Sequence, residues 1–65
     1  MKQIFTFGFG QKHMGGYIVI NGKTKDDCRQ KMFDEYGQKW SMQYDSEEDA
    51  GVDKWGLHLV DTFSS

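Results

Sequence analysis

Only one stretch of this chain carries both a start and a stop for a helix of ordinary length, and that restricts the architectures open to it. In "NGKTKDDCRQKMFDEYG", Thr24 stands at an N-cap position with Asp27 three residues later. Acids fill the first turn, and Gly37 stands where a C-cap glycine belongs. The spacing predicts a helix over Lys25 to Tyr36. Its apolar residues Cys28, Met32 and Tyr36 fall at i, i+4 and i+8 with Phe33 beside them. One stripe therefore packs on a sheet while Lys25, Arg29 and Asp34 stay in water.

Everything else is of strand length. Lys2 to Phe9 alternates with period two, placing Phe5, Phe7 and Phe9 on one face, and Tyr17 to Ile20 is β-branched or aromatic throughout. The polar, glycine-bearing "GQKHMGG" joins them into a hairpin with a long loop. "KWSMQYD" sets Trp40, Met42 and Tyr44 against Ser41, Gln43 and Asp45, the pattern of a half-buried third strand. In "SEEDAGVDKWG", Ser46 can cap with Asp49 three residues on and Gly56 acts as a stop, giving a short helical turn that Gly51 weakens. "LHLVDTF" reads as a fourth strand. The order predicts a single small α+β domain over residues 1–65: a mostly antiparallel four-stranded sheet, built as β-hairpin, main helix, strand, short helix, strand, with one main helix packed on one face.

A chain of 65 residues buries a smaller share of its surface than a larger one, so each large apolar residue is first a candidate for a thin core. The expected core is Phe5, Phe7, Tyr17, Val19, Cys28, Met32, Phe33, Tyr36, Trp40, Met42, Trp55, Leu57 and Leu59. The helix stripe covers only part of such a sheet, and homodimerisation through an open face is one way to bury the rest. At 37% hydrophobic and 15% aromatic residues the composition is that of a folding chain. Cys28 has no second cysteine to pair with, and His13 and His58 stand alone, so neither a disulfide nor a metal site is expected, and no cofactor. No signal peptide and no apolar run of about 18 residues is present, which predicts a cytoplasmic protein with no membrane partner.

The net charge of −2 comes from 8 basic and 10 acidic residues, a balance that argues against duplex-DNA binding. The acids are concentrated: Asp45, Glu47, Glu48, Asp49 and Asp53 fall within "YDSEEDAGVD", which has no base. Carboxylates in a first helical turn complement the helix dipole, which accounts for Glu47, Glu48 and Asp49 and leaves Asp45 and Asp53 over. The run is a candidate surface for a basic partner.

Two further motifs bear on ligands. "FTFGFG" is similar to the aromatic alternation of RNA-stacking strands, but only Lys2 and Lys12 stand near it, and a core-facing Phe row is the plainer reading. Gly8, Gly10, His13, Gly15 and Gly16 form a loop whose N–H groups could cradle a small nucleotide, with Phe9 or Tyr17 as a platform. Phosphate loops of known mechanics lead into a helix, whereas this one leads into another strand, where glycine also serves to relieve strain. His13 has no sequence partner that would give it acid–base work, Cys28 lies on the helix stripe, and no serine sits in a nucleophile elbow. No catalytic residue is assigned, and the chain is expected not to be an enzyme.

The segments "FTFGFGQ", "RQKMFDEYGQKWSMQYD" and "AGVDKWGL" resemble the short accessory proteins encoded by phages and prophages of Gram-positive bacteria, over nearly the whole chain. The resemblance carries over no catalytic residues. It implies a small gene product acting inside a bacterial host, of a kind that often inhibits host proteins or bacterial immunity. The leading expectation is thus a binder and inhibitor of a host protein, such as a defence nuclease or another DNA-channel protein, met through the acidic surface. A nucleotide-sequestering loop and a single-strand nucleic-acid binder with an aromatic sheet face are the alternatives.

Overall fold

The computed structural model describes residues 1–65. Strands β1 (Lys2–Thr6) and β2 (Gly16–Asn21) form the hairpin, and α1 (Lys25–Tyr36) follows. Then come β3 (Met42–Tyr44), two short helices α2 (Glu47–Ala50) and α3 (Val52–Trp55), and β4 (His58–Ser64). The sheet order is β3-β1-β2-β4. β1 is antiparallel to both β2 and β3, and β4 runs parallel to β2 at the other edge. The fold is the α+β arrangement read from the sequence. No helix is long and apolar enough to cross a membrane.

The caps of α1 are made as the sequence predicts. The Asp27 N–H donates to Thr24 Oγ1 at 3.1 Å, and the Gly37 N–H donates to the Phe33 carbonyl at 2.8 Å. Ser46 Oγ likewise accepts from the Asp49 N–H at 3.1 Å. Gly51, at φ 75°, ends α2 and opens α3, so the expected short helical turn is a bent pair rather than one helix.

The core lies between α1 and one face of the sheet. Phe5, Phe7, Ile18, Ile20, Cys28 and Met32 form it, with Tyr36, Trp40, Val60 and Phe63 packed at its margin. Two expected core positions in β2 are therefore displaced by one residue. Phe5 pairs with Ile18, and residues directly opposite in an antiparallel ladder share a face. Ile18 and Ile20 are thus enclosed against α1, whereas Tyr17 and Val19 lie half-buried on the other face. A run in which every residue is apolar has no alternation of its own, so pairing sets its phase.

Three more expected core residues are exposed. Met42 pairs with Thr6 on the face away from α1, because the chain breaks its alternation between Trp40 and the start of β3. Trp40 itself turns to the helix, its ring 5.2 Å from Phe5 and 5.3 Å from Phe33. In β4 the ladder steps from Tyr17–Leu59 to Ile18–Asp61, a bulge that leaves Leu59 exposed and brings Val60 and Phe63 to the core. Trp55 projects from α3 into solvent. Phe9 lies beyond β1 in the hairpin loop and is 98% exposed, so the predicted strand end is too long. Leu57 and Phe33 are half-buried.

The second face has its own small cover. Ile4 is fully enclosed but outside the α1 core, Lys2 on the same side of β1 pairs with Glu47 of α2 at 2.9 Å, and Ala50 is buried. α2 therefore packs on the Ile4 face over β1 and β3, and the row Met42–Thr6–Tyr17–Leu59 lies outside that cover.

Candidate functional site

The acidic segment is delivered by two very short helices whose geometry divides its carboxylates. Asp45 pairs with Lys25 at 2.9 Å and accepts from Gln3 Nε2 at 3.1 Å, and these hydrogen bonds hold its carboxyl below the ordinary value. Glu47 is likewise held low by the hydrogen bond from Lys2, helped by a backbone N–H. Glu48, Asp49 and Asp53 enter no ion pair. Glu47, Glu48 and Asp53 line one hollow of about 480 Å³ with Gly51, Val52 and Lys54. Asp45 and Asp49 instead line an open groove of about 660 Å³ along β3 with Asp26, where Lys25 and Arg29 offset two of the three carboxylates. The predicted acidic residues thus lie on two sides of α2, and the hollow carries the larger acidic excess.

Beside that hollow stands Trp55, 69% exposed. A Cβ on Gly51 would come within 2.5 Å of the indole Cδ1, so the ring lies directly over a glycine held at φ 75°. Both properties require glycine there: the left-handed backbone and the seat for the ring. Lys54 Nζ lies 5.2 Å from the ring centroid. Sequence reading placed Trp55 in the core, and nothing in its spacing signalled otherwise.

The glycine loop is turned largely on itself. The Gly8 N–H donates to Gln11 Oε1, and the Gln11, Met14 and Gly16 N–H groups donate to the carbonyls of Gly8, Gln11 and His13. The Gly8 and Gly16 amides are therefore occupied. Gly16 is buried where a Cβ would meet Val60 Cγ2 at 2.4 Å, so it serves the approach of β4. Gly10 and Gly15 have positive φ and open surroundings.

His13 is brought to a place the sequence does not reveal. Its ring lies 5.2 Å from Phe7 and 5.6 Å from Tyr36, closing a three-ring contact at the C-terminal end of α1. There Lys12, His13, Glu35, Tyr36 and Lys39 line a cavity of about 380 Å³. Burial, with Asp61 and Glu35 nearby, pushes the Tyr36 phenol above its ordinary value, so it stays a donor at neutral pH. Desolvation similarly keeps the buried Cys28 thiol protonated. No group of three or more His, Cys, Asp or Glu is placed to hold a metal ion.

Comparison of the chain with protein-family models, with curated proteins and with solved structures finds no match.

Proposed function

We propose that this chain is a phage-type accessory protein that binds and inhibits a host protein, with the α2–α3 turn as its contact surface and Trp55 as the anchor. The observation that supports it is the placement of Trp55, a large ring left in water yet seated over Gly51 and flanked by a hollow that bears Glu47, Glu48 and Asp53. Interface energy concentrates in a few aromatic or Arg anchors surrounded by a polar rim. Burying such a side chain in a partner contributes on the order of 1.5–3 kcal/mol. A ring held in place loses less rotamer entropy on binding than a free one.

The rim sets the partner's chemistry. Glu48 and Asp53 have no cation of their own chain to satisfy them, so a basic surface is the complement, as in the nucleic-acid channel of a defence nuclease. Complementary charge speeds encounter and is screened by salt. Phe5 and Phe7 are enclosed under α1, which removes two rings from a single-strand stacking platform. Binding rather than catalysis is the proposed activity.

A pull-down of the tagged protein from host lysate, with partners identified by mass spectrometry, tests the reading when run beside W55A and E48Q/D53N. Capture of a DNA- or RNA-handling protein that W55A loses by at least about 30-fold, roughly 2 kcal/mol, and that E48Q/D53N weakens at low salt, is the expected result. D49N, on the other side of α2, should bind normally. Undiminished capture by W55A refutes the anchor.

A further inference from the structure

We propose that the cavity between the hairpin loop and the end of α1 binds the phosphate group of a small phosphate monoester, with Lys12 and Lys39 as its charge partners and His13 and Tyr36 as further hydrogen-bond donors. The site is separate from the α2–α3 surface and does not depend on it. Its residues converge from three places: Lys12 and His13 from the loop, Glu35 and Tyr36 from the last turn of α1, and Lys39 from the segment after it. The volume, about 380 Å³, falls within the usual range for small-molecule sites.

The charge on this cavity is unspent. Glu35 is engaged by Lys31 at 2.8 Å, one turn back on the same helix. Lys12 and Lys39 have no carboxylate partner, in a chain whose net charge is −2. Lysines beside a helix C-terminus ordinarily serve its free carbonyls. Part of that role is filled by other groups: the Phe33, Tyr36 and Gly37 carbonyls accept from the Gly37 N–H, the Lys39 N–H and Trp40 Nε1 at 2.8, 3.1 and 2.9 Å. Neither ammonium donates to them.

The two ring donors are equally free. The imidazole of His13 and the hydroxyl of Tyr36 make no hydrogen bond within the chain, while their rings are fixed against each other and Phe7. Four donor-bearing side chains therefore line one concavity whose single carboxylate, Glu35, is engaged by Lys31. A phosphate monoester is the matching class, since its near-double negative charge answers two ammonium groups and its remaining oxygens accept from the imidazole and phenol donors. A diester or carboxylate carries only one charge.

Titration of the ¹⁵N-labelled protein with inorganic phosphate, AMP and adenosine, followed by NMR, tests the site. Saturable shifts at the Lys12, His13, Tyr36 and Lys39 amides with phosphate and AMP, but not with adenosine, are expected. K12Q/K39Q should weaken AMP at least about tenfold with an unchanged melting temperature, because both side chains are exposed and unpaired. K54Q, distant in the chain, should bind as the parent does. Absence of saturable shifts overturns the proposal, as does equal binding of adenosine or equal loss in K54Q.

Discussion

Met32 and Gly16 show how little freedom single positions have in a core this thin. Met32 is fully enclosed between α1 and the sheet, and truncating it to Ala should cost about 2–5 kcal/mol, measured by denaturant unfolding. Phe33 lies on the same helix but is half-buried under Trp40 and Arg29, so its truncation should cost less than that of Met32. Equal losses would mean that the stripe is centred elsewhere. Gly16→Ala should destabilise by on the order of 1–3 kcal/mol through overpacking, because its Cβ would meet Val60 Cγ2. G16A/V60A should then lose less than the sum of the single changes, a coupling that a double-mutant cycle reads directly.

At the scale of elements, caps set the starts of α1 and α2, and two long-range ion pairs link Lys2 of β1 to Glu47 of α2 and Lys25 of α1 to Asp45 after β3. Thr24→Ala should lower stability by about 1 kcal/mol, since it orphans the Asp27 N–H. The ion pairs are exposed and contribute little each, but they give a sign to the acid response. Asp45 and Glu47 titrate below their ordinary values of 3.8 and 4.5 when folded, so their contribution is present above those values and is lost as pH falls through the lowered ones. Thermal melts from neutral pH down through that window should fall more steeply for the parent than for K2M/K25M. Identical slopes would remove the pairs from the acid response.

Across the whole molecule, polarity is arranged so that the two proposed surfaces do not compete. One is the acidic hollow with Trp55 on α2–α3, and the other is the cation-bearing cavity at the hairpin end of α1. Neither includes the row Met42–Thr6–Tyr17–Leu59, in which Met42 and Leu59 are each 52% exposed. A phosphate ligand should therefore raise the melting temperature by the ordinary linkage, about 2.7 kcal/mol at 100 times its Kd, without altering capture of a partner by Trp55. Mutual exclusion of the two in a competition pull-down would show that one surface serves both.

Local chemistry was legible wherever a residue answers to its own neighbours in sequence. Thr24, Gly37 and Ser46 act on backbone groups three or four residues away, so α1 and the start of α2 follow from the chain itself. Four strand-length segments and one long helix were enough for the α+β class. The faces were not legible in "YIVI" or "LHLVDTF", because continuous apolar character and a bulge leave the phase to the pairing of β2 with β1 and β4. The acidic run was visible as composition, yet only the placement of Lys2, Lys25 and Gln3 decides which carboxylates are already satisfied. Likewise His13 and Lys39 lie far apart in sequence, and it is the packing of the hairpin loop on the end of α1 that brings them to one cavity. The sequence by itself determined the elements, since caps and turns are short-range hydrogen bonds. Only the tertiary structure decided the sites, since they are made of side chains that meet through packing between elements.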